Sequence, residues 1–277
     1  MDPITQQTTL AAAGAGGDPV YVDDVFSTFL YTGTDNAQTI TNGIDLSGEG
    51  GLVWLKQRTT ANTRHAWTDT ERGAYALDST DTIGQFTSYV TGFNSNGFNI
   101  GATSSGIFNE SPKEYASWTF RKAPGFFDVV TYTGNATLRT IPHSLGSVPG
   151  MIIIKEYSGT SGWTVYHRST GNEKQLRLDI TSGQGGTTAW NDTTPTSTHF
   201  TVNSDQDVNQ NGETFVAYIF AHDEPVFGTD EDESIIKCGS FTGIGFKDIG
   251  FEPQFLLVKE TSGSGNWQIY DNMRGVG

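Results

Sequence analysis

The stretch Asp207-Val208-Asn209-Gln210-Asn211-Gly212 carries the sharpest chemical signal in the chain. Oxygen donors at alternating positions before a glycine turn open a calcium loop, because a hard divalent cation takes carboxylate and amide oxygens. Asp207, Asn209 and Asn211 are therefore candidate Ca2+ ligands, and Ca2+ is the one cofactor that the residues suggest. Against them stands Tyr218, at the position where such a loop needs a bidentate glutamate. The plainer expectation is a hairpin turned by Asn211-Gly212. The histidines (His65, His143, His167, His199 and His222) form no pair at short metal-binding spacing. His143, in the turn Ile141-Pro142-His143-Ser144, is expected to bond to backbone. Neither a Gly-x-Ser-x-Gly elbow nor a phosphate-cradling loop is present. Acids are common, but no acidic pair recurs in register to serve as the two carboxylates of glycoside hydrolysis. The pattern argues against an enzyme.

Two further sets recur. Asp69-x-x-Arg72-Gly73 returns as Asp271-x-x-Arg274-Gly275. The simpler reading is an ion pair pinning a strand-to-turn junction, and the sharper one is a contact between neighbouring domains. Trp67, Trp163 and Trp267 sit near the same point of a repeat. They suit a repeated sugar-stacking face and a repeated core equally, and solvent exposure separates the two.

These residues are carried on a motif that occurs three times. Leu52-Val53-Trp54-Leu55-Lys56, Ile152-Ile153-Ile154-Lys155 and Leu256-Leu257-Val258-Lys259 place their lysines 99 and 104 residues apart. A period of about 100 suits a compact β-domain, not a solenoid repeat. Each copy is preceded by an aromatic-Thr-Gly (Tyr31-Thr32-Gly33, Tyr132-Thr133-Gly134, Phe241-Thr242-Gly243). Copies one and two also match as Tyr115–Phe120 against Phe215–Phe220, offset by 100. Alternation puts Ala116, Trp118 and Phe120 on one face of that strand, and the wholly apolar Leu52–Leu55 reads as a central strand covered on both faces. Roughly seven or eight short strands per copy fit a two-sheet sandwich. The expected fold is all-β: tandem antiparallel β-sandwich (jelly-roll or lectin-like) domains behind an extended N-terminal arm. The divisions are residues 1–20 for the arm, 21–125 for the first copy and 126–224 for the second. Residues 225–277 hold an acidic linker, Asp230-Glu231-Asp232-Glu233, and the incomplete start of a third copy. Open sheet edges in that third copy lead to the expectation that the natural protein continues past residue 277, or that a neighbouring chain supplies its last strands.

Composition narrows the function. The chain has 34 Gly among 277 residues and few runs of helix formers, which favours short strands and tight turns. Its formal net charge is −15. A phosphate-tracking nucleic-acid binder needs clustered Lys and Arg, and an anionic membrane surface would repel this chain, so neither partner is expected. No apolar run reaches a membrane-spanning length, so membrane insertion is not expected. Cys238 is the single cysteine, read as a buried structural thiol in a strand Ile235–Cys238. With no basic n-region at its start, the protein is expected to be soluble and made in a reducing cytoplasm. In residues 1–20, Asp2, Pro3, Ile4, Leu10, Ala12 and Gly14 belong to a small-residue segment that cannot fold alone. It is either a frayed terminus or an anchoring arm that orders against a partner.

Val20-Tyr21-Val22-Asp23-Asp24-Val25-Phe26, Gly50-Gly51-Leu52-Val53-Trp54-Leu55-Lys56, Phe93-Asn94-Ser95-Asn96-Gly97-Phe98, Ser117-Trp118-Thr119-Phe120-Arg121-Lys122-Ala123-Pro124 and His143-Ser144-Leu145-Gly146-Ser147-Val148-Pro149-Gly150 together resemble repeated domains of tail-fibre-like virion structural proteins in tailed, marine-type bacteriophages. The resemblance covers nearly everything from residue 20 onward. It implies a tail location on the virion, manufacture in the host cytoplasm, and binding or scaffolding without catalysis. It also implies attachment through the N-terminal part to other virion proteins (tail or portal-proximal components) and homo-oligomers, trimers among them. Competing expectations are a carbohydrate-binding adhesin for a host surface glycan and a glycan-degrading enzyme on the same scaffold.

Overall fold

The apolar run at Leu52–Leu55 does form a central strand, and both its faces are covered. The computed structural model describes residues 19–275. In the first copy a four-residue helix, α1 (Val22–Val25), leads into β1 (Phe26–Thr32). The strands β3 (Gly51–Gln57), β4 (His65–Asp69), β5 (Tyr75–Asp78), β6 (Phe86–Thr87) and β9 (Glu114–Arg121) complete a sheet ordered β1-β9-β3-β4-β5-β6. A smaller sheet of β2 (Gln38–Thr41), β8 (Gly97–Ile100) and β7 (Val90–Asn94) covers one face.

The second copy repeats this order. Its large sheet runs β10 (Phe127–Thr133), β17 (Thr214–Phe220), β12 (Met151–Glu156), β13 (Trp163–His167), β14 (Lys174–Arg177) and β15 (Gly185–Gly186). Its small sheet is β11 (Arg139–Pro142) with β16 (His199–Val202). A short helix, α2 (Gln206–Asn209), precedes β17. The chain is thus all-β with antiparallel sheets. In the third copy the described strands are one hairpin, β18 (Phe255–Val258) with β19 (Gln268–Asp271).

Alternation along the strands sends side chains into two kinds of core. Val53 and Leu55 face the small sheet of copy one, with Ile40, Phe98 and Ile100. Ile152 and Ile154 do the same in copy two, with Ile141, Phe200 and Val202. The intervening residues enter a third core that the copies share. It holds Leu52, Trp54, Trp118 and Phe120 from copy one and Ile153, Trp163, Val165 and Tyr218 from copy two. Phe255, Leu257, Trp267 and Ile269 of the third hairpin pack against it. The same run of apolar residues therefore serves two cores, which is why these strands show no polar face.

Two expectations need correction. The acidic stretch after residue 225 is not a free linker. Its carboxylates are exposed, but Phe227 is buried in the shared core and Gly228 N–H donates to the Val20 carbonyl (3.0 Å). Ile235–Cys238 is not a strand: it is held by single bonds, from Asp223 N–H to the Ile236 carbonyl and from Cys238 N–H to His222, and no strand among the described residues forms a ladder with it. Cys238 is nonetheless buried beside the Ala221 carbonyl, and burial pushes its thiol up to about 12. The arm residues Asp2, Pro3, Ile4, Leu10, Ala12 and Gly14 lie outside the described residues.

Candidate functional site

The charged and aromatic residues singled out by the sequence converge on the junctions between copies. Asp69 ends β4 and Arg72 follows in the turn. Asp69 Oδ1 accepts the Arg72 backbone N–H (2.9 Å), while Oδ2 accepts from Arg72 Nε (2.8 Å) and Nη2 (2.5 Å). So far this is the local pin. The pair also reaches into copy two, where the Tyr218 hydroxyl donates to Asp69 Oδ2 (2.8 Å) and accepts from Arg72 Nη2 (3.1 Å). The pair is a strand-end pin and an inter-copy clamp at once. Burial alone would lower the Arg72 guanidinium, yet Tyr218 and Asp69 raise it above its ordinary value. Tyr218 is raised well above the usual phenol range, chiefly by burial. Both stay locked in one protonation state across the physiological range.

Asp271 and Arg274 build the same clamp on the third hairpin, with Arg274 N–H on Asp271 Oδ1 (2.8 Å). The clamped residue is now in copy one: Trp118 Nε1 donates to Asp271 Oδ2 (3.0 Å), and the Arg274 guanidinium lies 4.8 Å from the Trp118 ring centre. Trp118 and Tyr218 are equivalent, since one pairs with Trp54 and the other with Ile153. The first clamp grips copy two and the third grips copy one. In copy two the equivalent of Asp69 is His167, paired with Met151 as Asp69 pairs with Leu52.

The repeated lysines join the copies in the opposite sense, each reaching back to the copy before it. Buried Lys155 donates to the Thr82 carbonyl of copy one (3.0 Å), and Lys259 to the Thr181 carbonyl of copy two (2.9 Å). Burial outweighs nearby carboxylates and lowers Lys155 to about 8. Backbone bonds duplicate the pattern: Gln85 N–H to Tyr157 and Ser161 N–H to Thr82 at one junction, Gln184 N–H to Thr261 and Gly265 N–H to Thr181 at the other. Gly84 and Gly183 permit this approach. A Cβ would lie 2.9 Å from the Tyr157 oxygen in the first case and 2.6 Å from the Thr261 oxygen in the second.

The tryptophans are structural. Trp67 and Trp163 are fully buried and meet edge to face, 5.2 Å between ring centres, with Tyr218 4.9 Å from Trp67. A sugar-stacking role for those two is ruled out because no ring face reaches solvent. Trp163 Nε1 donates to the Asp78 carbonyl (3.0 Å), and half-buried Trp267 Nε1 to the Arg177 carbonyl (2.8 Å). Register corrects their grouping: Trp163 pairs with Lys155 and is equivalent to His65, paired with Lys56, whereas Trp67 lies two residues further on. His65 accepts a bond from Trp54 Nε1 (3.0 Å), and burial, then Lys56 and Arg274, depress it to about 3.

The calcium set is dispersed. Asn211 is exposed in the turn, and Asp207 is engaged by Arg177 (2.9 Å) and Ser161 (3.0 Å). Asn209 is fully buried, donating to the Thr137 (2.7 Å) and Asn203 (2.9 Å) carbonyls and accepting from Asn135 N–H (3.0 Å). With its amide already satisfied by the chain, it is a loop staple and not a cation ligand. Asn109 does the same work in copy one, bonding to Asn36, Gly101, Thr34 and Gln38. This pair, offset by 100 like the strands around it, is the signal that the calcium pattern obscured. Among the described residues no group of three or more His, Cys, Asp or Glu is placed to hold a metal ion. His143 bonds to backbone, to the Thr196 carbonyl and Leu145 N–H.

A family model described as a domain of unknown function, DUF7483, matches residues 22–276. The chain belongs to the DUF7483 family. No curated protein and no solved structure matches it. The DUF7483 match takes in both sandwiches, the third hairpin and every clamp described above.

Proposed function

We propose that this chain is a non-enzymatic structural protein of a phage virion, a subunit of a tail fibre or similar appendage attached through its N-terminal region. The observation that carries this reading is how the chemically able side chains are used. Asp69, Arg72, Lys155, Asp271 and Arg274 are spent on holding one copy to the next. A body whose polar chemistry is consumed in its own junctions suits a load-carrying, displayed part. The resemblance of the segments around Val20, Gly50, Phe93, Ser117 and His143 to tail-fibre-like proteins supplies the location. Homo-oligomers follow by the same analogy. The test is mass spectrometry of purified particles combined with limited proteolysis. The reading expects the protein in the particle and residues 1–20 protected there but cut in the free protein. Absence from particles, or equal cutting in both, overturns it.

A second reading, an adhesin for a surface glycan, is favoured by one feature of copy two. An open groove of about 600 Å³ is lined by Glu173, Gln175, Thr187, Thr188, Asp192 and Asp205. Carboxylates and hydroxyls of this kind suit sugar hydroxyls. Glycan-array binding that is lost in Asp192→Ala would favour this reading.

A further inference from the structure

The groove of copy two lies where copy one is closed by aromatic rings. In copy one Phe86 packs on the inner core, 6.5 Å from the Phe108 ring centre, and Tyr89 lies 5.6 Å from Phe108. Register identifies the counterparts of these rings. Gln175 pairs with Gly185 as Ala76 pairs with Phe86, so Gly185 stands for Phe86. Ala189 N–H donates to Thr187 Oγ1 (3.0 Å) as Val90 N–H donates to Ser88 Oγ (3.0 Å), so Thr188 stands for Tyr89. Val208 stands for Phe108, because its carbonyl accepts from the Tyr132 hydroxyl as that of Phe108 accepts from Tyr31. With the rings gone, a Cβ added at Gly185 or Gly186 would meet nothing, and the groove of about 600 Å³ opens there.

The walls have changed from apolar to polar. Gln175 lines the groove in place of Ala76, and Glu173 in place of Ala74, since Thr187 N–H donates to Glu173 as Ser88 N–H does to Ala74. Asp205 replaces Ser105, each carbonyl accepting from the N–H of the loop-stapling asparagine. Gln175 Oε1 is buried and has no hydrogen-bond partner among the described residues. Thr164, on the same face of the sheet and fully buried where copy one has Ala66, also keeps an unpartnered hydroxyl. Buried polar atoms without partners are rare and cost stability. Two of them, at positions where the sister copy keeps alanine, point to a ligand that supplies donors, and a half-turn of the Gln175 amide turns Oε1 toward the groove.

The rim decides which donors fit. Glu173, Asp192 and Asp205 bring carboxylates to the groove, no Lys or Arg lines it, and none of the three is in an ion pair among the described residues. A ligand carrying carboxylate, sulfate or phosphate is repelled, whereas an ammonium gains charge-assisted hydrogen bonds. The groove is much larger than one ammonium group, and the Thr187 and Thr188 hydroxyls continue its polar surface. The ammonium is therefore carried on a hydroxyl-rich body. We infer that this groove is a subsite for an amino sugar with a free, protonated amine, the ammonium facing the three carboxylates and a ring hydroxyl donating to Gln175 Oε1. The inference rests on the adhesin reading and narrows it to cationic saccharides.

The test titrates the 277-residue chain with a glucosamine trisaccharide and with its fully N-acetylated counterpart, read by calorimetry and hydrogen exchange. The free-amine sugar is expected to bind saturably and to slow exchange at residues 173–175 and 185–192, with the acetylated one weaker by about tenfold or more. Asp192→Asn weakens binding by about tenfold, while Asp232→Asn, which removes a charge from the exposed acidic stretch, leaves it unchanged. Gln175→Ala, which restores the residue of copy one, weakens binding without lowering the unfolding temperature, a result that a merely structural role would not give. Gly185→Phe closes the groove and abolishes binding, and Thr188→Tyr does the same should the first variant fail to fold. Equal binding of the two trisaccharides overturns the inference and leaves the adhesin reading standing. Binding of neither sugar overturns the inference and removes the support that the groove lends to that reading. Equal losses in Asp192→Asn and Asp232→Asn, or spermine binding with the same affinity and the same protected residues, reduce the groove to a non-selective cation surface and also overturn it.

Discussion

Tyr218→Phe removes one oxygen atom from the junction of copies one and two and leaves the ring in place. That hydroxyl donates to Asp69 Oδ2 at 2.8 Å and accepts from Arg72 Nη2 at 3.1 Å, with all three side chains buried. Hydrogen bonds to charged groups contribute about 1.5–3 kcal/mol each. Asp69 Oδ2 keeps both of its Arg72 contacts, so no charge is orphaned and the lower part of that range applies, about 2 kcal/mol. For a chain of this size that is a fall of roughly 4–8 °C in unfolding temperature. Asp69→Asn is harsher, because it leaves the Arg72 guanidinium buried without its counter-charge, at about 3–5 kcal/mol. The informative quantity is the coupling, read from urea unfolding of both single variants and the double variant. With the carboxylate gone the hydroxyl has less to hold, so Tyr218→Phe in the Asp69→Asn background costs about 1 kcal/mol or more less than in the wild type. Additivity within about 0.5 kcal/mol, between residues 149 apart in sequence, would refute the clamp.

Other outcomes follow from the same contacts. Asn109→Ala and Asn209→Ala each destabilise by about 3 kcal/mol by stranding buried backbone groups, while Asn211→Ala is neutral and millimolar Ca2+ leaves thermal unfolding unchanged. Gly84→Ala costs about 1–3 kcal/mol at the first junction by thermal unfolding, and Gly183→Ala speeds hydrogen exchange in β18 and β19. His65 and His167 have folded values depressed to about 3 and about 4, chiefly by burial, below an ordinary 6.5. Between those limits the unfolded chain binds more protons, so stability present above pH 6.5 is lost as pH falls toward the folded values. The loss reaches roughly 2 kcal/mol per histidine by pH 5, and His65→Gln with His167→Gln flattens a urea-midpoint profile over that window.

What was legible in the sequence was what one strand reports about itself. The apolar run at Leu52–Leu55 announced two covered faces, and alternation in Tyr115–Phe120 sorted Trp118 from Ser117 correctly. Asp69 and Arg72, three residues apart, were readable as a pair. Their third member was not, because Tyr218 belongs to another copy and no local period says which copy packs on which. Register was the other loss. Trp67 and Trp163 look equivalent by spacing, and only cross-strand pairing with Lys56 and Lys155 shows them two positions apart. The calcium-like pattern had two readings by sequence, because Asn209 has the right chemistry for a cation, and in the fold its amide goes to the carbonyls of its own loop.

The copies share one core and are held in a closed order of contacts, so that neither sandwich is an independent unit. Scanning calorimetry of the whole chain tests this directly. One transition is expected, whose calorimetric and van't Hoff enthalpies agree and which Tyr218→Phe shifts down without splitting. Two or more separable transitions, one per sandwich, would contradict it.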